Sequence, residues 1–487
     1  MTFPEVNWIG ILPELILALG AAAVLLIDVQ WAPRPRTLAR LTFVLLLAAG
    51  ASAVFQRFWL EGLSAGQLSQ ALPFAGMVVV DPYAVFARLV LVVVSLLGLG
   101  AAWRFIEGLG RRAAEALTLF LLATAGFSLM AASPHLVMIF LGLEIGSISL
   151  YVLAGFGRRD ARSEEAALKY FLLGSFASAI FIYGVALLFA GTGSLNLYDQ
   201  RQFLATTILV RPAVLLIGLA LVVVGMAFKV TAAPFHGWAP DVYEGAPAGA
   251  VGFMAAAAKV GGFAALTRIL VTAFADYADD WAVVVGGIAV LSMLVGSVLA
   301  LVQDDLRRLL AYSGVAHAGF ILTGLVAGQA GTPGIWFYLA VYSVQLVGAF
   351  AVVSTVSGPA SSGSPFSRYE GLARRQPLLA LGLTVLLLGM AGIPLTSGFI
   401  AKFGVFQEAW RAGFGWLVVV AVLASVVAFF LYLRVIVAMY MADPGGEEVA
   451  APSLPIRTVL ATAMAITVVF GVLPAPLLSL AADALPF

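Results

Sequence analysis

The sequence predicts an all-α polytopic membrane protein, one integral domain over residues 1–487, and three observations carry that reading. Hydrophobic residues make up 62% of the chain and Asp, Glu, Lys and Arg together only 10%, against roughly 25% charged in an ordinary globular domain. So few charges could not cover a soluble fold of this size. Mean hydropathy is +1.05. Apolar stretches long enough to cross a hydrocarbon core of ~30 Å recur from end to end. The bilayer is therefore the first partner. A net charge of +1 excludes a nucleic-acid footprint. With no Cys and only His135, His236 and His317, the chain is expected to carry no cofactor and no redox centre of its own.

About fourteen such stretches are legible, centred near residues 19, 48, 92, 122, 144, 178, 221, 260, 291, 317, 346, 393, 427 and 468. The first carries Glu5 and Glu14 with no preceding Lys or Arg and no evident cleavage site, so it reads as a retained helix. Arginine sets the orientation. The odd-numbered connections hold Arg34, Arg36, Arg40, Arg104, Arg111, Arg112, Arg158, Arg159, Arg162, Arg307, Arg308, Arg368, Arg374, Arg375 and Arg457. The even-numbered ones hold only Arg57, Arg201, Arg211 and Arg411. This positive-inside bias places both termini on the outer side of the membrane. The Ser/Gly/Pro-rich connection from Ser357 to Gln376 reads as a flexible cytoplasmic linker, and the chain is expected to end without a soluble tail.

Only four lysines exist: Lys169, Lys229, Lys259 and Lys402. Each falls inside an apolar span, as do Glu144 and His317, while the loops use Arg throughout. A central Lys or Asp costs ~2.5–3.5 kcal/mol to insert, so such residues are not scattered idly. Lysine also has chemistry that arginine lacks, because desolvation can make it give up its proton whereas a guanidinium keeps its own. Lysine at depth and arginine in the loops is the pattern of a protonatable relay. The competing reading is that each charge snorkels or pairs to fix helix packing. Arg88, Arg268 and Arg434, nearer span ends, are assigned to that second reading.

Helix breakers accompany two of the lysines. Pro234 follows Lys229 by five residues and removes the bond to the Val230 carbonyl. Pro377 to Trp410 would reach about 51 Å as one helix against a ~30 Å core, so it must tilt or unwind, and Gly392-Ile393-Pro394-Leu395-Thr396-Ser397-Gly398 is the place. Interrupted segments in two halves point to a transporter's ion path. Lys402 lies 173 positions after Lys229, and His317 lies 173 after Glu144. Five spans per half would make the repeat inverted, with N-terminal helices over about 1–110, a first repeat over 111–275, a second over 276–442 and a C-terminal helix over 443–487.

The run Lys229-Val230-Thr231-Ala232-Ala233-Pro234-Phe235-His236-Gly237-Trp238-Ala239-Pro240-Asp241-Val242-Tyr243-Glu244-Gly245-Ala246-Pro247 resembles the signature of the antiporter-like membrane subunits of respiratory complex I. Its ending, Val242 to Pro247, is more similar to the N-subunit branch of bacterial NADH–quinone oxidoreductase than to the longer paralogues, the longest of which has a C-terminal extension not expected in this chain. Leu12-Pro13-Glu14-Leu15, Ala167-Leu168-Lys169-Tyr170-Phe171, Tyr312–His317 and Gly392–Phe403 also match, so the resemblance covers nearly the full chain. It implies fourteen helices, two inverted five-helix repeats with one broken helix each, and a proton path along the membrane midplane. Carried over residue by residue, Glu144 tunes Lys229, Lys259 and His317 form the central relay, and Lys402 is the terminal lysine; Lys169 matches a position nearer the cytoplasm.

The implied activity is that of a subunit of a proton-translocating NADH:quinone oxidoreductase in a bacterial inner membrane. NADH, FMN, iron–sulfur clusters and quinone belong to partner subunits of its membrane and peripheral arms. Two alternatives stand beside it. One is a subunit of a multi-subunit cation/proton antiporter; the other is a membrane scaffold that transports nothing.

Overall fold

Prolines and capping side chains set where the helices begin. The structure, a computed structural model, describes residues 7–64, 70–157, 161–207, 212–358, 363–444 and 449–486. Glu5, Arg158, Arg159, Arg211 and Ser362 lie outside the described residues. The principal helices are α1 (Leu12–Trp31), α2 (Pro35–Glu61), α3 (Pro82–Ala101), α4 (Ala113–Ala131), α5 (Leu136–Ala154), α6 (Ala161–Thr192), α7 (Ala213–Lys229), α8 (Trp238–Gly245) and α9 (Ala248–Arg268). There follow α10 (Ala278–Leu301), α11 (Leu306–Leu325), α12 (Thr332–Ser357), α13 (Pro377–Ala391), α14 (Ser397–Arg411), α15 (Gly415–Met441), α16 (Leu454–Val472) and α17 (Ala475–Asp483). Pro13, Pro35, Pro82, Pro333 and Pro377 stand in first turns, where a missing N–H breaks no intrahelical bond. Asp81 caps α3 by accepting from the Ala84 N–H at 2.7 Å. Asp305 caps α11 through the N–H groups of Arg307 and Arg308 at 2.8 and 3.2 Å.

Among the described residues eleven helices, some counted with their flanking turns, are long and apolar enough to cross a membrane, and a twelfth is reached if the pair Phe366–Arg375 and Pro377–Ala391, bent by 119°, is one span. The chain is a largely membrane-embedded, multi-pass α-helical protein. The difference from the expected fourteen falls at α7 with α8, at α11, and at α13 with α14. The two broken segments are divided into pieces of 17 and 8 residues and of 15 and 15, so no piece alone spans the core.

Helix α9 occupies the centre, entirely buried against α3, α4 and α12, and α12 is nearly as deep. Peripheral helices turn apolar stripes outward. Leu168, Leu172 and Phe176 on α6 and Val419, Leu423, Val426 and Phe430 on α15 are exposed at helical spacing, the faces acyl chains would cover.

The connection Ser357–Gln376 departs from the expectation of a flexible linker. Residues 359–362 lie outside the described residues. From Gly363 onward the backbone is tied down. The Ser364 carbonyl accepts from Leu306 N–H at 2.9 Å, Phe366 N–H donates to the Asp304 carbonyl at 3.0 Å, and Ser364 N–H donates to the Asp305 carboxylate. The Ser/Gly/Pro composition hid these long-range bonds, which belong to tertiary structure.

Candidate functional site

Helix α7 stops at Lys229 because the next residues cannot continue it. Thr231 takes a left-handed backbone, φ 63°, and Pro234 has no N–H to give. The freed groups find protein partners: Ala232 N–H donates to the Ala227 carbonyl at 2.8 Å and Ala233 N–H to the Ser292 hydroxyl at 2.9 Å. The second break is built alike. Helix α13 ends on Gly392 at φ 83°, Leu395 is also left-handed at φ 72°, and α14 resumes at Ser397. Broken backbone of this kind survives at membrane depth only where protein or a hydrated cavity satisfies it.

Both breaks carry a lysine on the exposed carbonyl end of a helix, where the macrodipole favours a cation. Lys402 Nζ donates to the Ala391 carbonyl at 2.8 Å and lies 4.6 Å from the centre of the Phe320 ring. Lys229 is the last residue of α7, and its Nζ donates to Ser147 Oγ at 2.6 Å. The rings of Phe127, Tyr151 and Tyr170 surround that ammonium at 5.3, 5.7 and 5.6 Å. Lys259, on α9, donates to Thr231 Oγ1 just beyond the α7 terminus. All three lysines are buried, at 2, 1 and 5% exposure for Lys229, Lys259 and Lys402. They do not snorkel.

Glu144 and Lys229 are not in direct contact. The Glu144 carboxylate accepts from the Ser178 hydroxyl, and no oxygen of it lies within 4.0 Å of the Lys229 ammonium. The two charges share α5 as a common support, since Ser147 stands one turn beyond Glu144, but each is held by its own serine. Serine hydroxyls at these positions give no sequence signal of their own, because most intramembrane serines bond their own helix backbone.

His317 sits in α11, buried between tyrosines. Its Nδ1 is 2.8 Å from the Tyr338 hydroxyl and its Nε2 3.2 Å from that of Tyr432, which also bonds the Ser313 hydroxyl. The Tyr342 ring stacks on the imidazole at 4.2 Å. A side-chain carbon placed on Gly314 would sit 3.5 Å from both Lys259 Nζ and the Tyr342 hydroxyl, so those groups look onto the same face of α11. The Tyr342 hydroxyl is buried with no protein partner among the described residues. Tyr342 thus stands between Lys259 and His317.

Lys169 is not part of this buried line. Its side chain is 41% exposed and pairs with Glu165 and Asp241, both at 2.7 Å. Asp241 also meets Arg308 at 2.9 Å, and Arg308 meets Glu244 at 2.9 Å. With α6 starting at Ala161, Lys169 lies only about 12 Å along it. Thirty-two residues in one helix reach about 48 Å, longer than the ~30 Å core, so part of α6 lies beyond it.

Arg88 and Arg268 fit the packing reading by pairing and not by snorkelling; both are fully buried in ion pairs. Arg88 meets Glu14 at 2.8 and 3.0 Å and also donates to Gln56 and to the Gly10 carbonyl. Arg268 forks onto Asp81 at 2.7 and 2.9 Å and donates to the Ala131 carbonyl at 3.1 Å. Arg434 does act at span ends, donating to the carbonyls of Leu301 and Gln303. Among the described residues no group of three or more His, Asp or Glu converges to hold a metal.

Comparisons with known proteins agree on one lineage. The family described as NADH:quinone oxidoreductase/Mrp antiporter, transmembrane, matches residues 133–428. The chain is 39% identical to NADH-quinone oxidoreductase subunit N of Trichlorobacter lovleyi, over 99% of this chain and 98% of that protein. Its fold superposes on a chain of respiratory complex I from Thermus thermophilus with a TM-score of 0.81 at 33% identity, covering 97% and 99% of the two chains. A chain of the Mrp complex from Dietzia shares the fold, with a TM-score of 0.78 at 22% identity and 97% coverage of both.

Proposed function

Because the chain belongs to the NADH:quinone oxidoreductase/Mrp antiporter family of membrane subunits, we propose that it moves protons across the membrane as an antiporter-like subunit of an NADH–quinone oxidoreductase. The observation that carries this reading is a succession of buried basic groups, Lys229 and Lys402 at the two helix breaks and Lys259 and His317 on the continuous helices between them, with Glu144 beside its start. Desolvated charges of this number are too costly to keep as packing alone.

The steps follow from what each group touches. Lys229 and Glu144 are held separately by Ser147 and Ser178, so the carboxylate acts on the ammonium through space. Quinone reduction in a partner subunit changes the charge near Glu144. Lys229 then passes its proton, through water and the Thr231 hydroxyl, toward Lys259. Tyr342 and His317 continue the line to Lys402, whose proton leaves on the outer side. Lys229 reloads from the cytoplasm past the Lys169, Asp241, Glu244 and Arg308 cluster. Flavin, iron–sulfur clusters and quinone stay with partner subunits of the membrane and peripheral arms.

In this reading the chain crosses the membrane fourteen times, with α7–α8 and α13–α14 each counted as one broken span, and α4 to α9 and α10 to α15 form inverted repeats. Two isolated antiparallel bridges support it. His135 pairs with Asn196 just before α5, and Asp305 with Pro365 just before α11. Their offsets, 305 − 135 = 170 and 365 − 196 = 169, lie close to the 173 that separates Lys229 from Lys402.

Lys259→Ala tests the proposal at its middle. It should assemble yet lose proton transport in sealed vesicles driven by NADH and quinone, and unchanged flux would contradict a relay through α9. Orientation has its own test. The chain has no native Cys, so Ser362→Cys creates a single site. It should resist an impermeant thiol reagent in intact cells and react in inverted vesicles; labelling from outside would reverse the topology.

A further inference from the structure

An apolar groove opens between α2, α3, α12 and α16, with α17 across one end and none of the lysines in its wall. The groove is open on one side and almost wholly apolar. Val54, Phe58, Val93 and Leu480 along it are exposed. Its depth is informative. From Pro82 to Val93, both in its wall, α3 rises about 16 Å at 1.5 Å per residue. That is about half of a ~30 Å hydrocarbon core, the depth of one leaflet.

The mouth is charged, and only the mouth. Arg57 and Asp483 line the end where α2 and α17 finish and α3 begins. Arg57 Nε is 2.9 Å from Glu61, and its Nη2 is 3.6 Å from Asp483. These leave the guanidinium with N–H groups to spare. Asp483 and Glu61 are 61 and 53% exposed. One guanidinium flanked by two carboxylates suits a headgroup carrying both an anion and a hydrogen-bonding cation.

We propose that this groove is a phospholipid site, with an acyl chain along α3 and α12 and an ethanolamine headgroup at the mouth. The phosphate accepts from Arg57, and the primary ammonium donates to Asp483 and Glu61. A glycerol headgroup brings the same phosphate with no cation, so both carboxylates oppose it. A choline headgroup has the charge but no N–H to donate. The groove therefore selects phosphatidylethanolamine within one leaflet, on the side of the C-terminal helix.

The full-length chain in its native assembly, in nanodiscs, is exposed to phosphatidylethanolamine or phosphatidylglycerol bearing one photoreactive acyl chain, and labelled peptides are mapped. Phosphatidylethanolamine should label groove peptides of α3 and α12 several-fold more than phosphatidylglycerol. Asp483→Asn, at an exposed helix end with little packing to lose, should shrink that preference, and Glu61→Gln with Asp483→Asn should invert it. Arg57→Ala should lower labelling by both lipids. Equal labelling of the wild-type groove by the two lipids would overturn the proposal. So would a preference that Asp483→Asn leaves intact, or absence of label because a neighbouring subunit covers the groove.

Discussion

Lys229→Arg is expected to reduce coupled proton transport as severely as Lys229→Ala, to background, with assembled complex at wild-type level in both. The reason is chemical. A guanidinium stays protonated and cannot pass its proton on, so it keeps the charge of lysine and loses the function. A purely structural role predicts the opposite order. Arginine would keep a cation among the rings of Phe127, Tyr151 and Tyr170 and retain a donor for Ser147, while alanine would leave a cavity. Assembly should survive alanine because no carboxylate is stranded: Glu144 keeps the Ser178 hydroxyl. Glu144→Gln should give a partial loss, since it weakens the field on Lys229 without removing the carrier. Proton pumping in reconstituted vesicles, normalised to assembled subunit and to quinone reduced, is the measurement. Full pumping by Lys229→Arg would return this lysine to packing.

Much of this is legible in the sequence alone, and the boundary is physical. Spans are written in local composition, and so are the breaks. The segment that could not be one straight helix indeed stops at Ala391 and restarts at Ser397. The rarity of lysine marked Lys229, Lys259 and Lys402, and all three are buried. What sequence could not supply is pairing across distance. Arg268 finds Asp81 187 positions away and Arg88 finds Glu14 74 away, and nothing local announces either partner. The same holds for the tyrosines that enclose His317 and for the serines that keep Glu144 and Lys229 apart. Lys169, which the resemblance placed nearer the cytoplasm, pairs with Glu165 and Asp241 near the start of a helix longer than the core, and the partner 72 positions away was likewise invisible in sequence.

Arg268→Ala should strip the membrane of folded subunit. Both partners of this pair are fully buried, and breaking a buried pair by removing one side costs ~3–5 kcal/mol, which is much of a typical domain's margin. Asp81 left alone would be an uncompensated carboxylate still obliged to cap α3, and the Tyr83 ring would lose the guanidinium 4.5 Å from its centre. Removing both charges while keeping the cap should recover much of the loss, because a buried pair is worth little over neutral packing. Arg268→Met with Asp81→Asn is that variant, since asparagine caps as well as aspartate. Yield of assembled subunit and its thermal unfolding decide the matter. A normal yield for Arg268→Ala alone would show that the pair does not hold α3 to α9.

The central claim is that the buried lysines act in series, as one path and not as separate sites. Protons moved per quinone reduced, measured in Lys229→Arg, in Lys402→Arg and in the double variant, test it most directly. Groups on one path fail together, so the double variant should lose no more than the worse of the two single ones. A double variant whose deficit is the sum of two smaller ones would mean that Lys229 and Lys402 serve independent routes, and a single relay through this chain would be wrong.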